Sequence, residues 1–404
     1  MAALMADGEE ARFVGGCVRD SILKRPVRDI DIATPEPPER VIALLDTAGI
    51  KAIPTGIAHG TVTAVIGEAH YEITTLRRDV ETHGRHATVA FSRDWTEDAA
   101  RRDFTINALS CNLDGDVYDP FGGLEDLGYG RIRFVGRAAE RIDEDVLRLL
   151  RYFRFYAELG QPPADSDALA ACRSRAHKLP TLSGERVRGE LFRLLSAPDP
   201  AGMVTLMRSQ HVIEHILPEA ATDVGRLRIM QWLDSNAIRF DSVVIDPLRR
   251  LAALLDTDAD GAAVVADRLR LSNHQRHRLI VMASPPLSVT ADLSGNALRA
   301  ALFRHGPEDL RDMALLAWAD KLAGQSRLPA AETEAWKALI AGIEGWDPVH
   351  FPLRGRDAES LGIEPGLRMG ALLRAVEDWW VDGGCNADHT ECMIELKARV
   401  GEAT

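Results

Sequence analysis

The chain has 404 residues, 46% of them hydrophobic and 27% charged, a composition typical of a globular protein with a sizeable buried core. Its formal net charge of −13 argues against a uniformly basic surface of the kind that binds nucleic acids, although a local basic patch is compatible with that total. Five scattered cysteines exclude a secreted disulfide framework, and without a signal peptide or a membrane-length apolar stretch we expect no membrane partner and a cytoplasmic location.

Short strands and helices alternate in the first third of the chain. The predicted strands are residues 12–14, 30–32, 60–66 and 71–76, and a helix begins at residue 18. The runs at 60–66 and 71–76 are separated by a glycine-containing turn, which predicts a hairpin. The polar residues 79–90 have weak periodicity and predict a flexible loop.

A change of pattern near residue 138 separates this region from the rest of the chain. Helical segments then dominate, at residues 143–159, 184–195, 201–213, 247–255 and 311–322. We therefore predict an α+β protein in which a head with a small mixed β-sheet precedes an all-helical remainder. Breaks at 196–200 and 284–286 suggest domains at residues 1–137, 138–197, 198–285 and 286–404.

A glycine pair stands between the first predicted strand and the first predicted helix. Because they lack side chains, Gly15 and Gly16 let the backbone come close to a ligand and leave N–H groups at a helix start that point at an anion. Arg19, one turn into the helix, adds a forked set of donors for a phosphate. The alternative is an ordinary turn, since a lone glycine pair has no specific meaning.

Two aspartates follow on the second predicted strand. Asp29 and Asp31 are two residues apart, so both carboxylates face one side of the strand while Ile30 and Ile32 face a core. Carboxylates about 7 Å apart along one strand face can share divalent ions. Two Mg²⁺ ions held there would activate an attacking hydroxyl and neutralise a leaving pyrophosphate. The alternative is a solvated strand edge.

A second block combines arginines with a strand-like or buried apolar segment. It is EDAARRDFTINAL at residues 97–109, in which Arg102 is a candidate phosphate ligand. The alternative is a surface ion-pair cluster of the arginines with Asp98 and Asp103. The residues by themselves favour neither reading.

The third block, RIDEDVLRLLRYFRF at residues 141–155, predicts an amphipathic helix. With Asp145 at zero on a helical wheel, the arginines at 148, 151 and 154 fall at about 300°, 240° and 180°, and the apolar residues lie between about 40° and 140°. Asp145 and Arg148 are three residues apart, so they can present their charged groups together. An ordinary helix with a solvated basic face is the alternative.

An aspartate beside an arginine has the hydrogen-bonding groups that select two of the four nucleobases. A carboxylate accepts a hydrogen bond from an exocyclic amino group, and a guanidinium donates to a ring nitrogen. Cytosine and adenine both offer an amino group beside such a nitrogen, whereas uracil and guanine place a carbonyl oxygen and a ring N–H there. Asp145 and Arg148 would therefore accept C and A and reject U and G.

Together and in this order, the blocks resemble the class II CCA-adding enzyme family, whose superfamily includes bacterial poly(A) polymerases. The matching segments are GGCVRD at 15–20, DID at 29–31, EDAARRDFTINAL at 97–109, DPFGGLEDL at 119–127 and RIDEDVLRLLRYFRF at 141–155. The resemblance is dense over residues 12–160 and fades afterwards. The combination of motifs is highly specific, although no single segment is.

The resemblance implies site residues of three kinds: metal ligands, ligands of the triphosphate and sugar, and a protein template for the base. The metal ligands and catalytic residues are Asp29 and Asp31, the triphosphate and sugar ligands are Gly16, Arg19 and Arg102, the template is Asp145 with Arg148, and its supports are Arg151 and Arg154. The implied cofactor is Mg²⁺.

The resemblance also gives meaning to parts of the chain without a readable motif. Glu72 resembles an acid on the family's next strand, and it is either a third carboxylate near the metals or a solvated strand residue. Residues 79–90 would be the mobile segment implicated in the switch from C to A addition. The helical remainder would form the neck, body and tail that grip the tRNA.

The implied function is that of a nucleotidyltransferase that adds C, C and A to tRNA 3′ ends from CTP and ATP and releases pyrophosphate. The nearest alternatives are a poly(A) polymerase and an enzyme that adds only C,C or only A, because the head motifs scarcely separate these activities. A non-catalytic RNA-binding protein is an alternative of another class. The aspartate pair argues against it, since a binding module needs no metal pair.

Overall fold

The computed structural model describes residues 1–83, 86–325 and 328–402. The chain divides into two compact units, Met1–Pro218 and Glu219–Thr404, and each is described by itself. Among the described residues, every strand belongs to the first unit. The ordered elements described in the second unit are helices. The predicted head with a mixed sheet and the predicted helical remainder are both confirmed.

Nine strands lie in the described part of the first unit. They are β1 (Arg12–Val14), β2 (Asp31–Thr34), β3 (Lys51–Gly56), β4 (Thr61–Ile66), β5 (Ala69–Thr75), β6 (Arg77–His83), β7 (His86–Phe91), β8 (Ser110–Cys111) and β9 (Val117–Tyr118). Seven of them form one sheet in the order β3-β4-β5-β2-β1-β8-β9. This sheet is mixed because β2 runs parallel to β5 and antiparallel to β1. The predicted hairpin is the antiparallel pair β4 and β5.

Nine α-helices complete the described part of this unit. They are α1 (Gly16–Ile22), α2 (Pro38–Thr47), α3 (Trp95–Ala100), α4 (Gly123–Gly128), α5 (Ala138–Glu144), α6 (Leu147–Leu159), α7 (Ser166–Arg175), α8 (Gly184–Leu195) and α9 (Pro200–Ser209). Aspartate side chains cap α3, α7 and α9 by accepting a backbone N–H of the first turn, which satisfies donors that a helix start leaves open. The change of pattern near residue 138 coincides with the start of α5.

The segment 79–90, predicted to be a flexible loop, belongs instead to the antiparallel pair of β6 and β7. The two strands pair from Arg77 opposite Phe91 onward, with a shift of register between Asp79 and Glu81, and residues 84–85 between them lie outside the described part of the chain. The loop prediction is wrong because strands pair through their backbones, and apolar residues alternate along a strand only where one of its faces is buried. A polar ribbon therefore carries no period-two signal.

The strand that carries Asp31 packs into the hydrophobic core of the head. Ile32 of β2 and Ile73 of β5 are buried together with Val62 of β4, and Val41 and Leu45 of α2 pack in the same cluster. Ile32 faces this core while Asp31 is only partly buried, but the predicted alternation does not continue because Ala33 and Thr34 are buried as well. Packing of apolar side chains therefore determines where the carboxylate of Asp31 is presented.

The helix predicted over residues 143–159 is interrupted at Asp145. There α5 ends at Glu144, Asp145 has an extended backbone (φ −147°, ψ 107°) and α6 begins at Leu147. The Asp145 side chain accepts the backbone N–H of Leu147 at 3.1 Å. Aspartate competes for backbone N–H groups and favours helix starts over helix interiors. The wheel drawn through Asp145 is therefore wrong for that residue, although its three arginines do lie on α6.

The described part of the second unit contains nine further helices. They are α10 (Gly225–Trp232), α11 (Pro247–Leu254), α12 (Ala259–Arg268), α13 (Asn273–Ala283), α14 (Gly295–Ala323), α15 (Ala330–Glu344), α16 (Gly355–Glu359), α17 (Leu367–Asp382) and α18 (His389–Glu402). The predicted break at 284–286 separates α13 from α14, and α14 is kinked at Gly306, which precedes Pro307. Of the helices described in either unit, none has the length and apolar character needed to cross a bilayer.

Candidate active site

A cavity of about 430 Å³ in the first unit brings together most of the predicted site residues. The predicted residues in its wall are Gly16, Arg19, Asp31, Arg102, Asp145, Arg148 and Arg151. The rest of the wall consists of Gly15, Arg101, Asp103, Asn107, Leu147, Phe155 and Arg186. Two predicted residues, Asp29 and Arg154, are not among the lining residues.

The glycine turn forms one side of the cavity between β1 and α1. Gly15 has a positive φ (φ 74°, ψ −127°), a conformation that residues with a side chain rarely adopt. A Cβ atom there would lie 2.9 Å from Nη1 of Arg102, so the missing side chain also permits the close approach of that guanidinium. The N–H of Gly15 donates to the carbonyl of Leu109 at 3.0 Å, which fixes the turn against the segment that contains Leu109.

Asp31 is the first residue of β2 and pairs with Glu72 on the parallel strand β5. Burial raises the pKa of Asp31, the charge of Glu72 raises it further, Arg102 opposes the rise and Asp29 adds to it. The ionised carboxylate of Asp31 is therefore in an unfavourable environment that a nearby cation would relieve.

Asp29 precedes the strand instead of lying on it. β1 pairs Phe13 with Ile32 and ends one residue later at the glycine turn, so the residues before Asp31 have no partner on β1. Asp29 is exposed, and its charge acts on Asp31. The prediction that both aspartates lie on one strand face is therefore wrong in its geometry, although their charges interact.

The second block contributes Arg101 and Arg102 to the cavity wall and holds both arginines through a buried aspartate. Asp98 is 3% exposed and pairs with Arg101 at 2.7 Å and with Arg102 at 3.0 Å. Burial by itself raises the pKa of Asp98, but the two guanidinium groups outweigh it and hold this pKa below its ordinary value. Both arginines also line the cavity, and a guanidinium has five donors. The ion-pair cluster and a phosphate contact are therefore compatible.

A chain of hydrogen bonds connects the glycine turn with α6. Nη1 of Arg19 donates to Oδ1 of Asn107 at 2.5 Å, and the Asn107 amide donates to Asp103 at 3.1 Å. Arg151 of α6 donates through Nε to the other oxygen of Asp103 at 2.6 Å. Burial by itself raises the pKa of Asp103, but the charge of Arg151 and the hydrogen bond from Asn107 hold it below its ordinary value.

The Asp145 carboxylate is held from the neighbouring helix α8. Its Oδ2 accepts a hydrogen bond from Arg186 at 2.7 Å, while its Oδ1 accepts the backbone N–H of Leu147. Each carboxylate oxygen has two lone pairs, so both retain capacity for a further donor. Asp145 is thus fixed in orientation and can still accept an amino group from a ligand in the cavity.

Arg148 is anchored in a similar way. Its two terminal nitrogens donate to the backbone carbonyls of Arg141 at 3.1 Å and Arg101 at 3.0 Å, and Nη1 also pairs with Glu144. These contacts connect α6 with the end of α3, and they leave the Nε–H and one further N–H of Arg148 as donors. Asp145 and Arg148 are therefore presented together at one wall of the cavity.

Arg154 lies behind the cavity wall and not on it. It is 6% exposed, its Nε donates to Glu190 at 2.5 Å, and its Cζ lies 3.8 Å from the ring centroid of Phe155. The same ring lies 5.1 Å from Arg19 and 5.3 Å from Arg151. Arg154 therefore contacts, from behind, the aromatic ring against which two cavity arginines pack.

We expect replacement of Arg154 by methionine to lower the free energy of unfolding by about 3 kcal/mol, because it leaves a buried carboxylate without its ion-pair partner. Glu190 would retain only longer contacts, 3.8 Å to Arg151 and 3.9 Å to Arg193. Urea unfolding measures the loss. The double variant Arg154→Met, Glu190→Leu removes both charges and should regain most of it, and equal losses in the single and double variants would contradict this account.

The charge of the wall suits a polyanion. Six arginines and three aspartates line the cavity, a surplus of three positive charges in a chain whose net charge is −13. Guanidinium groups and an exposed glycine backbone are the usual partners of phosphate groups. The arrangement can hold a nucleoside triphosphate with its phosphates at the glycine turn and its base at Asp145 and Arg148.

Asp103, Asn107 and Arg186 hold predicted site residues by hydrogen bonds, but the sequence did not identify them as members of the site. Asp103 and Asn107 stand in the second block four residues apart, but nothing there shows that their partners are Arg151 and Arg19. Arg186 contacts Asp145 across 41 residues of chain. Sequence periodicity carries no signal for such contacts, because it reports only neighbours within a few helical turns.

Comparison with known protein families gives matches to two regions of the chain. Residues 11–133 match the family described as "Poly A polymerase head domain", which covers the mixed sheet and the first two motif blocks. Residues 165–223 match the family described as "Probable RNA and SrmB- binding site of polymerase A".

Full-length relatives are similar over nearly the whole chain. The human CCA tRNA nucleotidyltransferase 1, mitochondrial, is 32% identical over 97% of this chain and 87% of its own length. The CCA-adding enzyme of Streptococcus sanguinis is 44% identical over 94% of this chain and 91% of its own. The crystal structure of the Bacillus stearothermophilus CCA-adding enzyme in complex with CTP has a TM-score of 0.77 and 27% identity, covering 100% of this chain and 96% of the other.

Proposed function

This chain belongs to the family of CCA-adding tRNA nucleotidyltransferases, and from that premise we propose which of its residues carry out the addition of C, C and A to tRNA 3′ ends. CTP and ATP are the nucleotide substrates, tRNA is the acceptor and pyrophosphate is released. In the proposed arrangement the incoming CTP or ATP occupies the cavity described above, and the RNA 3′-hydroxyl approaches the α-phosphate beside Asp31.

The observation that carries this assignment is the shared cavity wall of the glycine turn, Asp31 and the pair Asp145 and Arg148. Phosphate ligands, a metal-binding carboxylate and groups that recognise C and A are thereby placed around a single bound nucleotide. A cavity used only for RNA binding would not need a carboxylate such as that of Asp31, whose environment raises its pKa.

The family depends on a divalent metal ion, and we propose that this ion is Mg²⁺, held by Asp29 and Asp31. The donors fit, because carboxylate oxygens suit Mg²⁺ and one or two of them with substrate phosphates commonly complete its shell. The raised pKa of Asp31 supports the same assignment, since a cation would relieve the repulsion from Glu72 and Asp29. We propose Glu72 as an assisting third carboxylate. When bound, the metal supplies Lewis-acid charge at the attacking and leaving oxygens.

The residues around the triphosphate position it for in-line attack. The backbone of Gly15 and Gly16 approaches the phosphates, and Arg19 and Arg102 donate to their oxygens. The bond from the RNA 3′-oxygen to the α-phosphorus forms as the bond to the pyrophosphate oxygen breaks. Asn107 fixes the orientation of Arg19, and Asp98 fixes that of Arg102. The free-energy cost of ordering these donors during the reaction is therefore lower.

Base selection is proposed to rest on two side chains and their supports. Asp145 accepts the exocyclic amino group of C or A, and Arg148 donates to the adjacent ring nitrogen. Arg186 holds Asp145, Arg151 connects the template to Asp103, and Arg154 supports the wall through Phe155. U and G would leave both template groups without partners, which disfavours them.

We propose the remaining assignments on the same premise. The head is residues 1–137, the neck 138–197, the body 198–285 and the tail 286–404, with the helical parts contacting the tRNA. The ribbon of β6 and β7 would be the segment that changes during the switch from C to A. A cytoplasmic location is proposed as well, because all five cysteines are free thiols, as is usual in reducing compartments.

Extension of defined tRNAs tests the function. The protein is incubated with Mg²⁺ and tRNA lacking one, two or three terminal nucleotides, with each nucleoside triphosphate singly and with CTP and ATP together, and the products are sequenced. We expect two C residues from CTP alone on the shortest tRNA, one A from ATP on tRNA ending in C,C, and a complete CCA end from the mixture.

The other outcomes of this experiment identify the alternatives. A long A tail indicates a poly(A) polymerase, and a product that stops after C,C, or that gains only the final A, indicates a partial enzyme. No extension by a folded protein that still binds tRNA indicates a binding module. Each of these results contradicts full CCA addition.

A further inference from the structure

A second cavity, of about 410 Å³, lies in the same unit beside the nucleotide cavity. Its wall is made by β1, the first turns of α3, residues 108–110 and β9 with the residues that follow it. Arg102 lines both cavities, and Asp98 lines the second. The volume is within the ~300–1,000 Å³ range of small-molecule sites. The proposed nucleotide, metal and template residues leave this cavity without a role.

An arginine and two aromatic rings dominate the wall of this cavity. The Cζ atom of Arg12 lies 3.5 Å from the ring centroid of Tyr118 and 4.1 Å from that of Trp95. Arg12 is 8% exposed, and its Nε and Nη2 donate to Glu10 at 2.8 and 2.6 Å, which fixes the guanidinium. Within the described residues its Nη1 has no hydrogen-bond partner, so this nitrogen remains a donor for a ligand.

The remaining polar groups of the wall are unequally satisfied. Asp98 is neutralised by Arg101 and Arg102, and Asp119 accepts the backbone N–H groups of the turn that starts α4. In the described part of the chain, the indole N–H of Trp95 and the hydroxyl of Tyr118 have no hydrogen-bond partners. Flat rings with unsatisfied donors suit a planar, acceptor-rich ligand, which is the chemistry of a nucleobase.

The position of the cavity relates it to the catalytic carboxylates. Arg102 pairs with Asp98 at 3.0 Å beside the second cavity, and it lines the first cavity together with Asp31. In the proposed reaction the incoming nucleotide fills the first cavity, so the last nucleotide of the RNA must be bound outside it and close to Asp31. The second cavity is adjacent to the first and is separated from it by the Arg102 side chain.

A stacking site also matches what the reaction demands of the RNA end. The terminal base differs from step to step, because it is the base before the CCA sequence at first and a cytosine afterwards. Stacking on aromatic and guanidinium planes tolerates every base, since all four have a π-face. Recognition through a fixed set of hydrogen bonds would instead favour one base and slow the other steps.

We propose that this cavity, lined by Arg12, Trp95 and Tyr118, binds the 3′-terminal nucleobase of the RNA substrate by stacking, an assignment that rests on the proposed function. The Arg12 guanidinium covers one face of each ring, so the base stacks on the other face of the exposed Tyr118, and Nη1 of Arg12 provides a donor to the base or its sugar. The cavity therefore serves the RNA end and not the incoming nucleotide.

Fluorescence of a labelled RNA end tests the site without turnover. A tRNA that lacks CCA and carries 2-aminopurine as its last nucleotide is titrated with wild-type protein, Tyr118→Leu and Tyr118→Phe, without nucleotides. We expect quenching by wild type and Tyr118→Phe and its loss in Tyr118→Leu. The KM for the RNA should rise about tenfold in Tyr118→Leu, the cost of one lost base stack, with the KM for CTP unchanged.

The matched control is Tyr129→Leu. Tyr129 is 67% exposed and lies over Arg131 at 5.6 Å, but it lines neither cavity. It should quench and turn over like wild type. Because Tyr118 is itself exposed, its variants should fold, and a thermal unfolding curve checks this.

Two results would overturn the assignment. One is wild-type quenching by a folded Tyr118→Leu protein, and the other is a raised KM for CTP with an unchanged KM for the RNA. Failure of the proposed function is a different observation, because the wild-type protein would then extend no RNA while the fluorescence titration could still show a stacked RNA end.

Discussion

Replacement of Asp31 by asparagine should reduce nucleotide incorporation on the order of a thousandfold or more, with little loss of stability. The amide keeps the shape of the side chain but removes the charge that we propose holds the metal, and a metal's charge stabilises attacking and leaving oxygens by several kcal/mol. Single-turnover incorporation of CTP into tRNA lacking CCA measures the effect.

The stability of this variant separates lost chemistry from lost structure. Burial and the charge of Glu72 raise the pKa of Asp31 above its unfolded-state value, so its ionised form opposes folding at neutral pH, where the unfolded carboxyl is charged. Removing the charge should therefore leave the melting temperature equal to that of the wild type or above it. The matched control is Asp114→Asn, an exposed aspartate of the same unit, which should retain full activity. Near wild-type turnover by Asp31→Asn would refute the metal assignment.

Asp145→Asn should relax the choice of base, raising incorporation of UTP and GTP relative to CTP and ATP by roughly tenfold to a hundredfold. Asparagine retains an oxygen to accept the Leu147 N–H, so the start of α6 is preserved. Its N–H₂ group can donate to the carbonyl of uracil or guanine, where the carboxylate was repelled. Competition among the four nucleoside triphosphates on tRNA ending in C,C measures the ratio.

Asp143→Asn is the matched control for this change. Asp143 stands two residues earlier in α5, pairs with Arg175 and Lys178 on the surface and does not line the nucleotide cavity. Its variant should keep wild-type selectivity. If Asp145→Asn also keeps full C and A selectivity while binding CTP normally, the protein template lies elsewhere.

The chemistry of the site was predictable where it depends on residues close together in the chain. The glycine turn, the aspartate of β2 and the arginines of α6 each stand in a short motif whose residue types match one task. The mixed sheet, the hairpin of β4 and β5 and the helical remainder were also predicted, since hydrophobic periodicity and turn residues act locally.

The predictions failed where backbone pairing or capping overrode the local pattern. The ribbon of β6 and β7 has no apolar alternation, and its strands are defined by pairing with each other. Asp145 leaves the helix because its side chain accepts the N–H of Leu147. In each case a competing hydrogen-bond arrangement decided the conformation.

The sequence by itself determined the kinds of element, the family and the residue types that line the cavity, because these follow from patterns spanning a few residues. Only the tertiary structure decided which groups hold them in place. Arg19 finds Asn107 across 88 residues, Asp145 finds Arg186 across 41, and Arg12 lies against Tyr118 from another strand. Contacts of this kind depend on how whole elements pack, and burial of their apolar faces sets that packing without reference to the charged groups it brings together.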